Sequence, residues 1–193
     1  MVTSTKELLI RYQNYRSPKM KIKREVEKGT YVRLTQGLYE TDPGTEGFLL
    51  ASYLVSPSYL SFEYVLSRKG LIPERVTVYT CATTLKNHTK EYANAFGRYS
   101  FRDVPVGVFA FGVKPYVEND YHYLMASPEK ALCDLLYVKP PVSSIQALKE
   151  LLFADLRVDE MEFQKLDKED LIFLSNHYSK KNLTYLRQYL ERR

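Results

Sequence analysis

Five cations crowd one ten-residue stretch: Lys19, Lys21, Lys23, Arg24 and Lys28. Arg33 and Gln36 follow shortly after. Residues of these types act on polyanions. Lys and Arg neutralise phosphates and release condensed counterions, and the paired donors of Arg, or the donor and acceptor of a Gln amide, can read base edges. On a helix, Lys21, Arg24 and Lys28 fall on one face with Met20, while Ile22 and Val26 fall on the inner one. Lys19 and Lys23 lie towards the flanks, better placed for phosphates than for bases. Residues 1–40 hold nine Lys/Arg and four carboxylates, an excess that equals the net charge of the whole chain, +5. The remaining residues balance. A cationic head on a neutral body points to nucleic acid, with a solvated N-terminal arm as the alternative.

A second basic concentration surrounds Asn87-His88-Thr89: Lys86, Lys90 and, downstream, Arg98 and Arg102. These residues form a second nucleic-acid surface, a surface that acts on a nucleotide or tRNA-related target, or an ordinary solvated loop beside a strand pair. Catalytic chemistry finds no such clustering. His88, His122 and His177 are scattered without metal-ligand spacing, and there is no Gly-rich phosphate loop or GxSxG element. Glu129 and Asp134 stand five apart, on different sides of a helix. Cys81 and Cys133 lack a CxxC pattern or a neighbouring His, as expected of free thiols in a reducing compartment. No catalytic residue, metal site or cofactor is therefore expected. No apolar run approaches the ~18 residues of a membrane span, and the N-terminus lacks an apolar signal core. The expectation is a cytoplasmic protein without a membrane partner.

The elements that must position these groups follow from local signals. Thr5–Tyr12 has helical character. Ser17-Pro18 starts a second helix by a hydroxyl cap and a first-turn proline, and Gly29 stops it. Thr30–Leu34 and Leu38–Glu40 form a hairpin turning at Thr35-Gln36-Gly37, with Arg33 and Gln36 near its tip. Helix, helix and hairpin in this order predict a winged helix-turn-helix-like module over 1–41. Only two helices precede the hairpin. Thr41-Asp42-Pro43-Gly44 marks the boundary to a body over 42–193. In the body, 42–140 is mixed. A helix over Glu46–Val55 and a helix capped by Ser61 and ended by Gly70 are expected there. Strands follow at Val76–Thr83, Gly97–Phe101, Val106–Val113 and Tyr121–Ala126, then a helix started by Ser127-Pro128 and ended at Pro140-Pro141. Residues 141–193 read as helical, where Leu183, Leu186 and Leu190 either complete the core or form a dimer seam. The fold class is α+β.

Three segments of the body resemble a known family: SPSYLSFEYVLSRKGLIPERV (residues 56–76), FGRYSF (96–101) and ASPEKALCDLLY (126–137). They are similar to the AbiEi-type antitoxins of abortive-infection, type IV toxin–antitoxin systems. GTYVRLTQGLYE (29–40) is similar to the wing-like end of that family's N-terminal domain. The resemblance covers about residues 19–137. It implies a winged-helix domain that binds operator DNA upstream of its own operon and represses it. It also implies a body that counters a nucleotidyltransferase-type toxin without a stable complex. A homodimer would suit a palindromic operator. The chain departs from the family in its short N-terminal module. An antitoxin body acting through protein or RNA contact, with a head that no longer binds DNA, is therefore the alternative reading. An enzyme that modifies the toxin or its substrate is a third. Taken residue by residue, the two body motifs read as architecture: capped helices with apolar stripes.

Overall fold

The computed structural model describes residues 1–192, and its two sheets are separated at Thr41–Gly44. The head runs β1 (Val2–Ser4), α1 (Thr5–Arg11), α2 (Pro18–Glu27), β2 (Val32–Thr35) and β3 (Leu38–Glu40). Its sheet order is β1-β3-β2, all antiparallel, so β1 closes the hairpin on its far side. Ser4 starts α1 by a reciprocal cap, in which its Oγ accepts the Glu7 amide and Glu7 Oε2 accepts the Ser4 amide. α2 starts differently from expectation. The Ser17 hydroxyl bonds no first-turn amide, so Pro18, which needs no partner for its nitrogen, begins the helix alone. Gly29 ends α2 with φ at +78°, a conformation that side chains other than glycine resist.

Leu8, Ile22, Tyr31 and Tyr39 are the small buried core of the head, walled by Leu9, Tyr12 and Val26. Arg11 donates to the Tyr31 hydroxyl at 3.1 Å, and the Tyr12 and Tyr31 hydroxyls bond at 2.9 Å. That second bond, followed by burial, pushes the Tyr12 hydroxyl up to about 12. Leu34 faces away from this cluster and belongs to the core of the body. Asn94 Nδ2 donates to its carbonyl at 2.9 Å, tying hairpin to body.

The body is a mixed six-stranded sheet with helices, of order β6-β7-β5-β4-β9-β8. A tight turn over Gly47–Leu50 leads into α3 (Ala51–Leu54), where one continuous helix is expected. The Tyr99 hydroxyl donates to the Gly47 carbonyl, and a Cβ at Gly47 would stand 2.3 Å from the Phe96 carbonyl. Such close approach leaves no room for a side chain at position 47. β4 (Ser58–Leu60) leads into α4 (Phe62–Arg68); Ser61 does not cap it but donates to Asp134 Oδ2 instead. Next come β5 (Val78–Thr83), β6 (Lys90–Asn94) and β7 (Gly97–Asp103). The strand expected over Val106–Val113 is absent: Pro105 opens a tight turn over Val106–Val108, and Gly112 has φ at +65°. Pairing begins only with β8 (Val113–Glu118) and continues in β9 (Tyr121–Ala126).

α5 (Pro128–Val138) is the central helix, capped by Ser127 as expected and buried from Glu129 to Leu136. α6 (Ile145–Glu150) continues in a wide turn over Leu151–Asp155. α7 (Glu160–Gln164), α8 (Lys168–Asn176) and α9 (Lys181–Glu191) complete a helical C-terminal region. Leu183, Leu186 and Leu190 are buried within the chain's own core, so they are filler and not a dimer seam.

Candidate nucleic-acid interface

α2 turns Ile22 inward with Glu25 and, partly, Val26. That leaves Lys19, Met20, Lys23, Arg24, Glu27 and Lys28 exposed. Glu25 is the unexpected member of the buried face. It accepts from Lys21 Nζ at 2.7 Å and Thr30 Oγ1 at 3.0 Å, and Lys28 Nζ approaches to 3.7 Å. Lys21 also lies over the Tyr12 and Tyr15 rings, 5.8 and 5.2 Å from their centroids. Its ammonium is thus held inside the head's framework. Of the three cations that the sequence places on one face, Arg24 is the fully available one, Lys28 is partly engaged and Lys21 is committed.

Lys23 pairs at 3.9 Å with Glu27, a carboxylate on the outward face itself. Among the described residues, Lys19, Arg24 and Arg33 have no ion-pair partner. Arg33 stands exposed on β2 opposite Tyr39, and Gln36 is exposed in the turn between β2 and β3. Tyr15, Arg16, Met20, Arg24 and Lys28 line a groove of about 520 Å³ beside α2. The arrangement can bind phosphates through exposed cations on one helix and its flanking hairpin, with Arg24, Arg33 and Gln36 as candidates for paired hydrogen bonds to bases.

The basic residues of the body do not converge. Lys90 pairs with Phe101 across β6 and β7, so it shares the face of Phe101 and opposes Arg98 and Arg102. Lys86 Nζ donates to the Ser56 carbonyl at 3.2 Å. Arg102 makes two bonds from one nitrogen to the Glu63 carboxylate, at 3.0 and 2.9 Å, and stacks 5.0 Å from the Phe62 ring centroid. Of the four, Arg98 alone is exposed, and the exposed Glu91 shares its face. A single extended basic surface does not form from these four.

One polar cluster escaped sequence reading. Lys130 and Asp134, one turn apart on α5, are both fully buried and paired at 3.0 Å. Lys130 Nζ also donates to the Val108 carbonyl at 2.9 Å and bonds the Tyr178 hydroxyl. Asp134 accepts from the Tyr59 hydroxyl at 2.9 Å, the Ser61 hydroxyl at 2.7 Å and the Tyr178 hydroxyl. Burial pushes the Lys130 ammonium down and both tyrosine hydroxyls up. With no solvent access, the cluster holds α5 to β4, to Ser61 just before α4 and to Tyr178 in the connection between α8 and α9. The i, i+4 spacing was the available signal, but only the fold shows that this side of α5 is covered.

No group of three or more His, Cys, Asp or Glu among the described residues could hold a metal. No helix among them is long and apolar enough to cross a membrane. No family model and no curated protein matches the chain.

Proposed function

We propose that this chain is a DNA-binding autorepressor and the antitoxin of a type IV abortive-infection toxin–antitoxin pair, acting in the cytoplasm. Its head is a winged helix-turn-helix-like module: α1 and α2 are the helix pair, and β2–β3 is the wing. The observation that carries the DNA half is the row of exposed cations on α2, continued by Arg33 and Gln36 on the adjoining hairpin. In helix-turn-helix proteins the second helix enters the major groove and reads bases near its N-terminus. Lys19, Met20 and Lys23 occupy that end of α2, and the helix start carries no side-chain cap that would compete with a phosphate. Arg24 and Lys28 lie further along the same surface. The antitoxin half rests on the resemblance of residues 56–76, 96–101 and 126–137 to the AbiEi-type body, which counters a nucleotidyltransferase-type toxin without a stable complex.

A second reading keeps the antitoxin body and gives the head no DNA. It draws on the capture of Lys21 and Lys28 by Glu25 and on the carboxylate of Glu27 in the outward face. An electrophoretic shift with the DNA upstream of its own gene separates the two. Under the first reading the full chain binds specifically against random competitor. Arg24→Ala/Lys28→Ala then lowers the salt slope by about two units, one for each lost phosphate contact. Glu27→Gln tightens binding, because a carboxylate facing phosphates is removed. Absence of specific binding by the folded chain overturns the repressor half and leaves the second reading.

A further inference from the structure

A cavity of about 640 Å³ opens where the loop after β5, the end of β7, the end of α5 and the start of α9 meet. Two carboxylates line it. Glu63 takes the two bonds from Arg102; Asp103 Oδ2 accepts the backbone amides of Lys86 and Asn87 at 2.8 and 2.7 Å, while its Oδ1 is buried without a partner. Cations line the other wall. Lys139 and Lys180 are among the lining residues, and among the described residues neither has an ion-pair partner. His88 joins them from the loop. Lys180 is also the residue before α9, whose first-turn amides no side chain caps, so the helix dipole adds to the positive potential.

Beside these charges stands an apolar wall. The Tyr137 ring lines the cavity, with Lys180 Nζ 5.7 Å from its centroid. Cations beside an aromatic face suit a ligand with an anionic end and a flat apolar one. The volume falls within the ~300–1,000 Å³ of small-molecule sites. Asn87 and Thr89 also line the cavity.

We propose that this cavity binds a nucleoside monophosphate, with the phosphate held by Lys139 and Lys180 and the base against Tyr137. The site is in the body and does not depend on whether the head binds DNA.

Isothermal titration of the full chain with AMP, GMP, CMP and UMP, the four nucleosides and inorganic phosphate tests this. At least one monophosphate binds saturably, while its nucleoside and inorganic phosphate bind about tenfold more weakly or worse, the worth of one charge-assisted hydrogen bond. Lys139→Ala/Lys180→Ala loses about the same factor or more with an unchanged melting temperature, since both residues are only half-buried and neither side chain is in an ion pair among the described residues. Inorganic phosphate binding as tightly as the best monophosphate overturns the nucleotide assignment. So does an unaltered affinity in the double variant, or the absence of saturable binding by any of the four.

Discussion

At the scale of single residues, the fully buried Lys130–Asp134 pair sets a large energetic stake. Removing one charge of such a pair leaves the other desolvated and uncompensated, at a cost of about 3–5 kcal/mol, whereas removing both leaves no orphan charge. Asp134→Leu is therefore expected to destabilise the chain by that amount in urea unfolding. Lys130→Met/Asp134→Leu should cost less than the sum of the two single changes. It will not be neutral, because the hydroxyls of Tyr59, Ser61 and Tyr178 lose their acceptor. Strictly additive losses would show that the two charges do not depend on each other. The sequence places Lys130 and Asp134 one helical turn apart, but a charged pair at that spacing is normally solvated. What buries it comes from far along the chain: Tyr59 is 75 residues from Asp134, and Tyr178 is 44. Local pattern carries no trace of such partners.

Among the elements, α2 shows how one buried carboxylate locks a helix while its other face stays free. Glu25 is held below the usual carboxylate range, first by Lys21 and then by Thr30, and the bond to Glu25 raises Lys21. The stability gained through Glu25 is present above its unfolded value of ~4.3 and is lost as pH falls through the lower folded one. The gain through Lys21 is present below ~10.4 and is lost as pH rises through its raised folded value. The stability difference between Glu25→Gln and the parent chain should thus be flat from about pH 5 to 9 and shrink at both ends, as thermal melts across pH would show. A difference independent of pH would mean that Glu25 acts by shape alone. Punctuation at this scale was readable: Pro18, Gly29 and Ser127-Pro128 bound their helices where expected. Apolar runs misled. Val106–Val113 has strand composition, yet it supplies a turn whose Val108 carbonyl receives Lys130. Conversely, β6 is polar and alternating at a sheet rim, which reads as loop until β7 pairs with it.

For the whole molecule, the head and body are unequal partners. Four residues form the buried core of the head, while Leu34 of its hairpin belongs to that of the body. A segment of roughly 40 residues seldom buries enough to fold without help. A peptide of residues 1–41 is accordingly expected to give the circular dichroism of an unfolded chain, while the full chain melts in one transition that includes the head. A helical, cooperatively melting peptide would contradict this. The sheet itself has a further bearing on company. Its rims are β6, bearing Lys90 and Glu91, and β8, where Pro115 has no amide hydrogen and Lys114 and Glu118 add charge. Rims so blunted resist strand-to-strand extension by another chain and the fibrous aggregation that follows from it. Any molecule that docks on the body is thereby directed to side chains, and its main chain gains no seat in the ladder.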